Sequence, residues 1–426
     1  MLRFTLSEYG TLPRDRVPPQ LLRRLHRFDE EQAKLNDGQL IFDWCRIQQI
    51  RAKHFVGVIQ IEGLQIEILP KISAVDDEAL ARGNLLVMLA HGRDIPFEER
   101  DLAQLHSVRH PLIDCLAQLF LQRLIKALHQ GIDHQYVEQR DQLPYLRGKL
   151  EIGEHLRRNT FRQERFACRF DEFNEDSWLN RILKAACRVL ERRSRNTQDR
   201  HLLNECRRLL DPVTDCQIHA ADFDRVQLHR NNQRFDHLLT FARMILLGNS
   251  PLPESGGEKS FSLLFPMHQV FEEFIGHFCL RQAALLGLEP GQIHLQARKV
   301  LRHLLRDEAD CGHFRLKPDL SITAADNKDQ VTAILDTKWK QLTDEGKRGI
   351  NQADMYQLYA YAQNYECSRV IALYPQTSGV CSAVFILESH RERQIRIEML
   401  DLSIDLRSSE GKTKLTRRLR EILRGD

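Results

Sequence analysis

The spacing of apolar residues changes character along the chain. Up to about residue 105 it has the short period of strands. Phe55–Ile61 (FVGVIQI) and Leu64–Leu69 (LQIEIL) run apolar or alternate, and Glu62-Gly63 between them reads as a tight turn. This predicts a hairpin, ended by Pro70. From about 106 to 250 the period becomes helical: Leu112, Cys115, Leu116, Leu119, Phe120, Leu124 and Leu128 recur on one stripe, and Gly131 suits a terminator. Another helix is expected from Trp178, with Asp176 or Ser177 as its cap. Residues 249–260 (NSPLPESGGEKS) read as a linker or exposed loop. Beyond it the pattern predicts a helix over 267–285, with Val270, Phe271, Phe274, Ile275, Phe278 and Leu285 on or near one stripe. A strand over 293–300 follows, then a hairpin of 314–323 and 331–339 around the polar AADNKDQ. A helix over 354–365 precedes strands near 369–374, 383–387 and 395–400, and an Arg-rich amphipathic helix spans 412–424. The expected class is an α+β multidomain chain: a β-rich 1–105, a mainly helical 106–250, and an α/β 251–426.

Composition narrows this only slightly. With 42% hydrophobic and 28% charged residues the chain is globular. A net charge of +3 is too balanced to imply nucleic-acid binding by itself. Any basic surface must be local, as around Arg157, Arg158, Arg162, Arg165 and Arg169, then Arg192, Arg193 and Arg195. Such a cluster suits DNA phosphates or an acidic partner, and equally a solvated face. The ten cysteines contain no CxxC pair, and Cys216-x-x-His219 lacks a second pair. Zinc is therefore not expected, and reduced thiols in a cytoplasmic protein are. Residues 112–128 include Asp114, Arg123 and Lys126, so they read as a core helix, with no membrane span. Glu8, Arg14 and Arg16 interrupt any N-terminal signal. The GGEKS run lacks the order and spacing of a phosphate-binding loop, and no other nucleotide-hydrolysis motif is visible.

The chemistry-bearing stretch is 315–340, RLKPDLSITAADNKDQVTAILDTKWK. Along a strand, residues i and i+2 share a face, so Asp336 and Lys338 point the same way and Thr337 the other. Charges at the end of a buried run are costly unless paired or coordinated. Asp319, one hairpin strand earlier, supplies a second carboxylate. Two carboxylates suit a hard cation such as Mg²⁺, and the nearby ammonium can position a water or stabilise a phosphoryl transition state. The plainer alternative is an Asp336–Lys338 pair at a solvated hairpin edge.

Pro318-Asp319 followed by Asp336-Thr337-Lys338 resembles the PD-(D/E)XK nuclease motif, with Thr337 at the variable position. The order helix, three strands, helix, strand resembles the core of those enzymes. SEYG near the start, GLQIEILPKI, the LRGKL turn and FACRFDEFNEDSWLNRILKAACRVL are similar to phrases of the McrC family, nuclease subunits of McrBC modified-DNA restriction systems. That resemblance implies a C-terminal PD-(D/E)XK restriction-endonuclease-like core and a Mg²⁺-dependent DNA endonuclease. Asp319 and Asp336 would hold the metal and Lys338 would serve the attacking water. It implies a hexameric AAA+ GTPase partner of the McrB kind, which recognises methylated double-stranded DNA. The N-terminal region would dock on that partner and stimulate it; the stretch 45–53 carries Arg46, Arg51 and Lys53. Glu272, in VFEEF, resembles a first-helix glutamate that assists the metal or water, with Glu273 its rival. Gln357 and Tyr361 match a Q-x-x-x-Y feature that orients the lysine or touches phosphate. A stand-alone repair nuclease or junction resolvase, and a non-catalytic activator of the GTPase, are the other readings.

Overall fold

The computed structural model describes residues 1–35, 37–72, 77–92, 110–159, 164–193, 197–247, 260–296, 300–342, 349–377 and 379–424. The linker read at 249–260, apart from Ser260, and Arg162 and Arg195 of the basic cluster lie outside them. The fold is mixed α and β, with several sheets. It divides into two compact units, one formed by 1–115 together with 249–426, the other by 116–248. One strand from the C-terminal part of the first unit joins its N-terminal sheet.

That strand, Phe261–Pro266, completes an N-terminal sheet ordered Leu2–Ser7, Leu64–Leu69, Phe55–Ile61, Phe261–Pro266. The predicted hairpin is present, with Gly63 at φ +84° in its turn. Phe55–Ile61 is buried along its whole length, which explains its near-continuous apolar run. Gly57 (φ +134°) allows Phe261–Pro266 to approach; a Cβ there would lie 2.0 Å from the Leu263 carbonyl oxygen. Phe28 and Leu25 of the Pro19–Leu35 helix join Ile59, Ile66 and Ile68 in one core. The Glu78–Gly92 helix packs on the Met267–Arg281 helix. Its Arg82 reaches the sheet, where Nε and Nη2 each donate to the Glu67 carboxylate at 2.7 Å. The Leu112 N–H donates to the same carboxylate at 2.8 Å, so this buried charge is fully engaged.

A six-stranded sheet is ordered Ile293–Leu295, Leu320–Thr323, Val331–Thr337, Arg369–Pro375, Gln394–Leu400, Ala383–Ile386. Its central three strands are parallel, and Leu320–Thr323 pairs antiparallel with Val331–Thr337. The Gln352–Asn364 helix makes the crossover between the first two parallel strands. It buries Leu358, Tyr361 and Ala362. The Ser409–Arg424 helix buries Leu415, Leu419, Ile422 and Leu423. Two predicted strands are corrected. The 314–323 run is broken: Gly312–Leu316 pairs with Arg302–Arg306 in a separate ribbon, and Leu320–Thr323 joins the large sheet. Pro318, which has no N–H to donate, lies at the break. Of the 293–300 strand, Ile293–Leu295 is present and ends before Gln296 at φ +49°, while 297–299 lie outside the described residues.

The 116–248 unit holds more β structure than expected. Phe166–Asn174, read from its sequence as part of a helical stretch, is the middle strand between Gln135–Leu143 and Lys149–Leu150. The following helix does begin at Trp178, and Ser177 caps it, its Oγ accepting from the Asn180 N–H at 3.3 Å. Asp176 pairs with Arg181 instead. Several of the clustered arginines are engaged internally: Arg169 meets Glu151 at 2.7 Å, and Arg158 meets Glu154 at 3.3 Å. No described helix is long and apolar enough to cross a membrane.

Candidate active site

Asp319 directly precedes the Leu320–Thr323 strand, and Asp336 is the penultimate residue of Val331–Thr337. The Lys338 N–H donates to the Leu373 carbonyl at 2.9 Å. Pairing with the next strand therefore continues past Thr337 and keeps Asp336 and Lys338 on one face. The Lys338 Nζ lies 2.6 Å from Asp336 Oδ2. It also donates to Gln357 Oε1 at 2.9 Å. Gln357 Nε2 donates to the Tyr361 hydroxyl at 2.7 Å, which donates to the Lys317 carbonyl at 3.1 Å. A relay from the helix thus fixes the ammonium and ends beside Pro318-Asp319.

Asp319 is held by the residue between the other two. The N–H and hydroxyl of Thr337 donate to its Oδ2 at 2.6 and 2.7 Å. Glu272 and Glu273 separate clearly. Glu272 accepts from Gln296 Nε2 at 3.2 Å, and the Gln296 N–H donates to the Asp319 carbonyl at 2.8 Å. Glu273 faces the neighbouring helix, where a Cβ on Gly92 would come within 2.7 Å of its own. Asp319, Asp336, Lys338, Glu272, Gln357 and Tyr361 therefore form one constellation. Gln296 and the hydroxyl of Thr337 belong to it but were not read from the sequence. Lys340 and Asp354, paired at 2.7 Å, flank it.

Electrostatics makes the site acidic. Burial first, and the nearby Asp319 second, raise the carboxyl of Asp336 to about 7 against the opposing pull of Lys338. Burial raises Asp319 to about 6, with Glu272 adding and the Thr337 hydrogen bonds opposing. Glu272 is raised chiefly by burial. Lys338 moves upward: burial works against its charge, but Asp336, Asp319 and Asp354 outweigh it. The Lys338 contact with Asp336 Oδ2 is an ion pair without hydrogen-bond alignment, so that buried oxygen has no hydrogen-bond partner among the described residues. Three repelling carboxyls, one ammonium and an oxygen short of a donor form a setting that a divalent cation would relieve. No group of three or more His, Cys, Asp or Glu among the described residues meets the spacing of an all-protein metal cage. Mg²⁺ does not require one, since it binds through one or two carboxylates and keeps several waters.

Fold and site together define a mixed α/β protein with an acidic, lysine-bearing cluster at the strand ends of a mixed sheet. The family model of the McrBC 5-methylcytosine restriction system component matches residues 50–375, and the chain belongs to that family. Type IV methyl-directed restriction enzyme EcoKMcrBC of Escherichia coli K12 is 19% identical over 263 residues, which are 59% of this chain and 71% of that protein. One chain of the tetradecameric assembly of Thermococcus gammatolerans McrB AAA+ hexamers with bound McrC superposes with a TM-score of 0.74 at 20% identity. The superposition covers 99% of this chain and 100% of that one. A chain of the Thermococcus gammatolerans McrBC complex gives a TM-score of 0.55 at 23% identity, over 66% of this chain and 88% of that one.

Proposed function

We propose that this chain is the nuclease subunit of an McrBC-type restriction system, with a C-terminal PD-(D/E)XK core. It cleaves DNA with Mg²⁺, working with and stimulating an McrB-like AAA+ GTPase ring that recognises methylated duplex. The observation that carries this reading is the convergence of Asp319, Asp336 and Lys338, with the ammonium anchored by Gln357. Asp319 and Asp336 are the residues that would hold magnesium, which when bound supplies positive charge to the phosphate and acidifies a water. Lys338, kept protonated by its acidic neighbours, donates a hydrogen bond to the attacking water or a phosphate oxygen. Gln357, itself held by Tyr361, gives the ammonium a second partner beside Asp336. Glu272 assists the metal or the water. The energy for translocation comes from the partner, as the sequence carries no nucleotide-hydrolysis motif.

The test uses the purified chain with its partner, GTP, Mg²⁺ and duplexes with and without methylated cytosine. Cleavage of the methylated duplex that requires partner and GTP supports the proposal. Robust cutting without partner or nucleotide points to a stand-alone nuclease, and stimulated GTPase without cleavage under any metal to a non-catalytic activator.

Magnesium dependence carries a pH signature. A cation competes with protons for carboxylates. With one carboxyl near 7 and the other near 6, apparent Mg²⁺ affinity should fall roughly 20-fold from pH 8 to pH 6. Titrating cleavage against Mg²⁺ at several pH values measures this, and a half-saturation point that does not move would contradict it.

A further inference from the structure

SEYG, one of the phrases shared with the family, also bears on the site. Glu8 follows the Leu2–Ser7 strand and is 0% exposed. Its Oε2 accepts a hydrogen bond from Trp339 Nε1 at 2.7 Å, across 331 positions of sequence. The backbone around Glu8 is held on both sides. Its N–H donates to the Leu69 carbonyl at 2.7 Å. Tyr9 turns outward at φ +60°, with Arg51 Nε donating to its carbonyl at 3.0 Å and the guanidinium 5.5 Å from its ring centroid.

Trp339 directly follows Lys338, and strand alternation turns its side chain away from the ammonium. Its ring packs on Phe271, centroids 5.2 Å apart, and Phe271 precedes Glu272. The indole thus links the segment carrying Lys338, of which it is part, to the helix carrying Glu272. A carboxyl is a costly group to bury for filling space; burial pushes Glu8 up to about 7 even though Trp339 and Lys71 pull it down. What it adds over an apolar side chain is direction, a short hydrogen bond that fixes the indole.

We infer that Glu8 is a positioning residue for Lys338, acting through Trp339 from the N-terminal sheet. This rests on the nuclease reading above. A displaced reacting group is expensive in rate even when the displacement is small, so the effect belongs in kcat.

The test uses the complete complex with partner, GTP and Mg²⁺. Glu8→Leu and Trp339→Phe should each lower kcat for DNA cleavage about 10-fold. KM for DNA stays unchanged. Glu8→Gln, which retains an acceptor oxygen, keeps near-normal cleavage, and Glu8→Leu combined with Trp339→Phe is no worse than either alone. A second readout needs no catalysis. The Trp339 indole N–H resonance, identified by its loss in Trp339→Phe, should exchange with deuterium slowly in wild type and Glu8→Gln, and quickly in Glu8→Leu. Full cleavage by folded Glu8→Leu overturns the inference and leaves the nuclease reading standing. So do additive losses, or Glu8→Gln as impaired as Glu8→Leu. If Glu8→Leu does not fold, full cleavage by Trp339→Phe is the overturning result. A wild type that never cuts removes the nuclease reading and this inference together.

Discussion

Asp336→Asn should reduce kcat for DNA cleavage by about 10²–10³ while making the metal-free protein more stable at pH 8. The two effects have one origin. In the fold the carboxyl titrates near 7, above its ordinary 3.8, mainly because it is buried and secondarily because Asp319 is near. Between those values the folded chain binds more protons than the unfolded one, so stability falls as pH rises. The penalty is absent below about pH 4 and complete above about pH 7. Asn removes it, for a gain of roughly 2–4 kcal/mol at pH 8, or about 2–5 °C in Tm for a chain of this length. The gain should vanish toward pH 4 and shrink when Mg²⁺ is added. Lys338→Ala should lose rate to a similar degree with the opposite sign in stability, because it leaves the acids without their ammonium. Cleavage assays and thermal melts across pH distinguish these outcomes. Wild-type rates in either variant would reject the proposed roles.

Arg82→Met should cost about 3–5 kcal/mol of stability, because it leaves the Glu67 carboxylate buried with a single remaining donor. The Arg82 and Glu67 side chains are only 5% and 4% exposed, so water cannot take the place of the guanidinium. Replacing both, as Glu67→Leu with Arg82→Met, should recover most of the loss, since neither charge is then stranded. Urea unfolding of the three variants gives the comparison. A single variant within about 0.5 kcal/mol of wild type would show that the pair is not carrying the contact between sheet and helix.

Much of the site was readable because it is local. Alternation along one strand put Asp336 and Lys338 together, helical spacing put Gln357 above Tyr361, and a polar turn joined the two hairpin strands. What escaped depends on contacts between distant segments. Glu272 and Glu273 are neighbours on one helix, and the choice between them depends on Gly92, whose missing side chain lets the other helix press against Glu273. Gln296 reaches Glu272 from a left-handed backbone position that a pattern reading would not favour. Trp339 looked like a strand-end aromatic, and its partner Glu8 lies at the other end of the sequence. The 314–323 run kept strand-like composition on both sides of Pro318, which hid its division between two sheets. The same holds for Phe261–Pro266: its composition marks a strand, but nothing near it shows that its neighbour is Phe55–Ile61.

That pairing has a consequence during synthesis. Phe55–Ile61 leaves the ribosome about 200 residues before the strand that covers its open edge, a wait of roughly 10–40 s at ordinary elongation rates. Throughout it, a nearly continuous apolar ribbon has one side unpaired while residues 116–248 emerge. Nascent chains stalled before residue 266 should therefore depend on chaperones, and those released beyond it should not.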